Sequence, residues 1–155
     1  MKISKNLPQF KDENSLIVVS SSQSAVVYKA HRGLMYEVFK TVREPKLGRE
    51  GFFSTNAKGK RPISGSVYES KSGENHRDFF RKLSFELKKI ASKGYSKVYF
   101  FIPHYLVSLA ERYIPYNIKN IPHYTIRGNF INENPFKLLL KIKDSYGLVV
   151  TVPIN

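Results

Sequence analysis

Residues 75–102 read NHRDFFRKLSFELKKIASKGYSKVYFFI, and this stretch decides the fold. Phe79, Leu83, Leu87 and Ile90 recur at helical spacing, Asn75 with Asp78 three residues on resembles a capping box, and Gly94 supplies a C′ stop. The spacing predicts a helix of about five turns. Lys97 to Ile102 is then continuously apolar up to Pro103, the pattern of a short strand buried on both faces. A helix feeding directly into such a strand belongs to an α/β fold.

The alternation continues downstream. Leu106, Leu109, Ala110 and Tyr113 mark a second helix that Pro115 terminates. Ile121 to Phe130 reads as another strand, with His123, Thr125 and Arg127 alternating with Tyr124 and Ile126. Asn134-Pro135 starts a short helix through Ile142, and Tyr146-Gly147 turns into LVVTVPI, a last strand over Leu148 to Ile154. Unpaired, that strand would be an exposed apolar edge, so it is expected to pair with the sheet or, as a homo-oligomer contact, with another chain.

Upstream, the pattern is strand after strand. Leu16-Ile17-Val18-Val19, a serine turn at Ser20 to Gln23, and Ala25-Val26-Val27-Tyr28 make a hairpin. After His31-Arg32-Gly33, Leu34 to Val42 alternates with Leu34, Tyr36, Val38 and Lys40 on one face, a third antiparallel strand. Residues 1–14 read as a tail or docking arm with no core pattern of its own. The expected architecture is one α/β domain over 15–155. It has a mixed sheet of five to six strands, a three-stranded antiparallel meander plus parallel strands, helices packed on it and the first strand central.

Between Arg43 and Glu74 the apolar periodicity stops. A loop at about 44–74 this long inside a compact domain is usually functional or disordered. Counted from Lys40 to Lys71, the bases Lys40, Arg43, Lys46, Arg49, Lys58, Lys60, Arg61 and Lys71 face only Glu44, Glu50 and Glu69. The whole chain repeats that imbalance: 26 Lys and Arg against 12 Asp and Glu give a net charge of +14 over 155 residues. Such a surface attracts polyanions: RNA, DNA, the ribosome or anionic membranes. No stretch approaches the roughly 20 apolar residues of a membrane span, and the N-terminal residues lack the apolar core of a secretion signal, so a cytoplasmic location is expected. Absence of cysteine removes disulfides, thiolate metal sites and Cys nucleophiles together.

The segments IVVSSSQSAVVYKA, HRDFFRKLSFELKKI, KVYFFIPHYLVSLAERYI and TIRGNF resemble the bacterial host-attachment protein family. That family is itself similar to the central domain of archaeal and eukaryotic peptide-chain release factors and to pelota. His76 and Phe79 match the family's helix opening and Pro103 its strand-ending proline. Ser20 to Gln23 stand where the family has an Asp-Gly-x-x-Ala-Arg type of turn, and the strand over 148–154 is not part of its pattern. The resemblance implies an open mixed sheet of RNase H-like strand order. It does not carry release activity over, because Gln9 and Gln23 are not preceded by the paired glycines of a Gly-Gly-Gln loop. Asp12, Asp78 and Asp144 are scattered, with no acidic pair on a strand to hold a nuclease's divalent metal.

His31, His76, His104 and His123 fall in different elements without metal-ligand spacing. Ser20-Ser21-Ser22 could cradle a phosphate or simply form a serine-rich turn. The stronger candidate is the helix over 75–93. Wound at 100° per residue, it places Arg77, Arg81 and Lys88 in one basic row, Lys82, Lys89 and Lys93 in another, and Phe85 between them. An aromatic among cations grips single-stranded nucleic acid by stacking and phosphate contact, although the same pattern also describes a solvated face.

The expected function is a non-enzymatic module that binds RNA or a ribosomal, translation-related particle. Lys58, Lys60 and Arg61 of the loop would join Arg77, Arg81, Phe85 and Lys88 of the helix. No catalytic residue, metal ligand or cofactor is assigned. Two alternatives stay open: a host-contact protein acting at acidic surfaces, and a nucleotide or RNA hydrolase with an unrecognised site.

Overall fold

A computed structural model describes residues 1–42 and 67–146, with the backbone alone for 67–74. Five strands form one mixed sheet: β1 (Ser15–Ser20), β2 (Ser24–His31), β3 (Leu34–Val42), β4 (Lys97–Ile102) and β5 (His123–Arg127). Their order is β3-β2-β1-β4-β5. β1 pairs antiparallel with β2 and β2 with β3, while β4 lies parallel to both β1 and β5. This is the meander-plus-parallel arrangement expected from the sequence, with the first strand central and the order RNase H-like. The sixth strand expected over 148–154 lies outside the described residues.

The helices are α1 (Val67–Ala91), α2 (Val107–Tyr113), α3 (Tyr116–Lys119) and α4 (Pro135–Ser145), with a 3-10 turn at His104–Leu106 ahead of α2. Helix α1 begins at Val67, not at the capping pattern of Asn75, so the end of the expected 44–74 loop is helical. The sequence concealed this because 67–74 carries no apolar periodicity, and an established helix extends through such a stretch once its later turns are packed. Helix α4 starts as expected: the Asn134 side chain accepts from the Phe136 amide at 3.0 Å and Pro135 occupies the first turn.

Both faces of the sheet are covered, which is why KVYFFI alternates nothing. Val98, Phe100 and Ile102 point to one core with Leu16, Val18 and Val27, covered by Phe79, Phe80, Leu83 and Leu87 of α1 and by α2 and α3. Tyr99 and Phe101 point to the other with Ile17, Val19 and Ala30, covered by Leu138, Leu139 and Ile142 of α4. The rest of that second face is covered by the N-terminal segment. Ile3, Leu7 and Phe10 are buried in it.

Residues 1–14 are therefore not a tail without a core pattern. The Ile3 amide donates to the Gly33 carbonyl at 2.7 Å and the Met35 amide to the Met1 carbonyl at 2.9 Å, so the segment runs along the end of β3. Lys97 Nζ reaches Glu13 Oε1 at 2.7 Å and the Ser96 amide reaches the Asn14 carbonyl at 2.9 Å, fastening its other end to β4. Ile3, Leu7 and Phe10, spread among polar, turn and charged residues, are too sparse for a periodicity. Their burial depends on the sheet they meet.

β3 departs from simple alternation. Leu34, Tyr36 and Val38 are exposed, whereas Met35 is buried in the second core and Phe39 packs against the first. A register shift opposite Val27/Tyr28 brings Phe39 across from Val27, so one extra residue in β3 turns its later side chains to the other face. The two-residue turn before it needs positive φ at both positions, 47° at Arg32 and 72° at Gly33, the hairpin geometry that matches strand twist.

Candidate functional site

The outward side of α1 is opposite the side that packs on the sheet. Phe79, Phe80, Leu83, Leu87 and Ala91 are buried, and Arg77, Arg81, Lys82, Phe85, Lys88 and Lys89 are exposed; Lys93, also exposed, falls past the helix end at Ala91, in the turn that follows, and not on the helix expected over 75–93. The apolar positions recur every three to four residues, so the remainder of the helix circumference collects the charges. Phe85 is 60% exposed, an unusual place for a ring.

Neighbouring side chains make parts of this surface unequal. Arg81 Nη1 is 3.3 Å from Asp78 Oδ1, and Lys89 Nζ is 2.9 Å from Glu86 Oε1. Lys89 also lies over the Phe85 ring, its ammonium 4.1 Å from the centroid, so one face of that ring carries a cation. Among the described residues Arg77, Lys82, Lys88 and Lys93 enter no ion pair. Lys88 and Lys89 sit in the last turn, where the helix dipole favours positive charge. At Lys88 the main chain meets a second element, because Asn117 Nδ2 of α3 donates to its carbonyl at 3.3 Å.

Of the residues proposed from the sequence, Arg77, Arg81, Phe85 and Lys88 thus share one solvent-facing side of α1. Lys58, Lys60 and Arg61 lie outside the described residues. The serine turn uses its own polar groups: Ser21 Oγ accepts from the Ser24 amide at 3.0 Å and the Gln23 amide at 3.3 Å, and the Ser21 amide donates to the Ser24 carbonyl at 2.8 Å. Those amides are not available to cradle a phosphate. His31 Nδ1 is 2.9 Å from the Glu13 carbonyl and His123 Nδ1 is 3.0 Å from that of Ile121, so both imidazoles brace local backbone. Among the described residues no group of three or more His, Asp or Glu stands where it could hold a metal ion. None of their helices is long and apolar enough to cross a membrane.

Ionisable groups with displaced pKa values lie in the body of the fold, away from α1's outer side. Burial pushes the Tyr99 phenol well above its ordinary value, with Tyr146 and Glu13 adding to the effect. Burial alone lowers the Lys97 ammonium, but the bonded Glu13 carboxylate overrides it and raises the net value. The exposed Tyr116 of α3 is the residue that sequence reasoning passed over. The tyrosines of the second half look like half-buried sheet and helix residues, and only the position of Pro115 before a new helical turn hints otherwise.

No family model and no curated protein matches the chain. Among solved structures it is similar to the crystal structure of an archaeal translation termination factor, aRF1, with 13% identity and a TM-score of 0.47. The similarity covers 86% of this chain and 40% of that one. The chain thus corresponds to well under half of that factor's length, and a likeness of this degree carries nothing about activity.

Proposed function

We propose that this chain is a basic, non-enzymatic module that binds RNA in the cytosol, as a free strand or on a ribosomal particle. One observation carries the reading: Phe85 is exposed at the centre of a helix side where Arg77, Lys82 and Lys88 are exposed and free of carboxylate partners among the described residues. The acids of that surface, Asp78 and Glu86, are already engaged by Arg81 and Lys89. Exposed cations neutralise phosphates and release counterions, while the ring face that Lys89 does not cover offers a base something to stack on. Lys58, Lys60 and Arg61 belong to the same proposal as further phosphate contacts.

Filter binding of RNA across a salt series tests it. Affinity should fall linearly on a log–log plot with a slope of roughly −0.7 per phosphate neutralised on a single strand. The double substitution Arg77→Glu, Lys88→Glu should flatten that slope. An unchanged slope, or no binding at low ionic strength, overturns the reading. The resemblance to host-attachment proteins would instead set the same cations against acidic glycans or lipid headgroups. Binding to heparin or anionic vesicles with none to RNA would favour that reading, and turnover of a phosphodiester would favour the hydrolase.

A further inference from the structure

We infer that the interface extends from α1 across its seam with α3 and takes a single-stranded segment, with Tyr116 as a second stacking platform beside Phe85. This rests on the RNA reading above and adds to it a ligand form and a binding residue. Tyr116 is 79% exposed, the most exposed large apolar side chain among the described residues. An exposed ring is common enough singly. Its setting is what sets this one apart.

Tyr116 opens α3 directly after Pro115, whose carbonyl accepts from the Ile118 amide at 2.9 Å and the Lys119 amide at 3.0 Å. Ile118 is fully buried in the first core, so this short turn is anchored from below. The next residue after Tyr116, Asn117, donates to the Lys88 carbonyl. That bond holds the residue next to Tyr116 against the last turn of α1 at Lys88. Two exposed rings thus stand on adjoining packed elements, Phe85 on α1 and Tyr116 on α3. Arg112 and Lys119 outnumber Glu111 on α2 and α3, so the positive surface continues beyond the seam.

Two exposed aromatics on adjoining elements that also carry exposed cations fit a strand whose bases are free to turn toward protein. In a duplex the base faces are already stacked on one another, and recognition falls to backbone and groove. In a single strand each base has a face to offer, and such stacking tolerates any sequence. Phe85 keeps one ring face clear of Lys89, and Tyr116 meets no ring within the described residues.

The chain contains no tryptophan, so Tyr116→Trp installs a unique fluorophore at the position in question. Titration with an oligouridine should quench its emission, and a duplex RNA of equal length should quench it far less. Tyr116→Ala should weaken oligouridine binding roughly 5- to 150-fold, the range of one lost base–aromatic stack, while Tyr116→Phe retains it. At 79% exposure the residue contributes little to folding, so an unchanged thermal midpoint is expected alongside. Oligouridine binding with Tyr116→Ala at wild-type affinity, or a preference for duplex, overturns this inference and leaves the RNA reading standing. Failure of the unsubstituted protein to bind any RNA removes both.

Discussion

Both faces of the sheet are buried around β1 and β4 but finished differently on the outside. The first face is covered by α1, α2 and α3, and the outer side of α1 presents Arg77, Lys82 and Lys88, unpaired among the described residues, and the exposed ring of Phe85. The second is covered by α4 and the N-terminal segment, with a buried tyrosine inside and the half-buried Lys97–Glu13 ion pair at its rim. Stability is shared by both faces, whereas the proposed recognition belongs to the first. A change on the second face should act on folding and pH response, and one on α1's outer side on binding alone.

The severest test of burial on the second face is a pair of truncations. Phe101→Ala, from a side chain with no exposed surface, should cost about 3–5 kcal/mol in denaturant unfolding. Phe10→Ala should cost about 3 kcal/mol, since its ring is 5% exposed and meets Tyr99 edge-on at 6.3 Å. A cost within about 0.5 kcal/mol for Phe10→Ala would return residues 1–14 to the status of a tail. The binding side of the comparison is sharpened by Arg77→Glu with Lys88→Glu, expected to flatten the salt slope of RNA binding by at least about 1.4 with the unfolding midpoint kept.

Alkaline pH should separate the faces next. Tyr28, Lys97 and Tyr99 all face the second core or its rim and all hold pKa values above their ordinary 10.0 or 10.5. Each folded group binds its proton more tightly than the unfolded chain does, so its contribution is complete below pH 10 and disappears as pH rises through the folded value. Thermal unfolding between pH 8 and 11 should show a falling midpoint above pH 10. Tyr99→Phe should blunt that fall more than Tyr95→Phe, whose phenol is raised by burial on the first side. Equal slopes for both variants would contradict the assignment.

The smallest effect is also a discriminating one. Asp78→Asn removes an exposed partner of Arg81 and should change stability by less than about 0.5 kcal/mol. It frees a guanidinium on the proposed interface, so RNA affinity should rise. A fall in affinity would mean that Asp78 positions Arg81 instead of competing for it.

The sequence by itself determined the sheet and most of its helices. The β-branched runs of β1 and β2, the unbroken KVYFFI of β4 and the three-to-four spacing of Phe79, Leu83 and Leu87 are local patterns, and their period follows from backbone geometry alone. It also determined the ring between two rows of cations on α1, because winding a helix needs no knowledge of its neighbours. Tertiary structure decided the rest. Ile3, Leu7 and Phe10 are buried only because a sheet face lies under them, the extra residue in β3 becomes visible only against its partner strand, and α3 is tied to α1 by the hydrogen bond from Asn117 to Lys88, 29 positions apart. Periodicity reports which side of an element is apolar. What meets that side, and what stands next to the opposite one, depends on contacts between residues far apart in the chain.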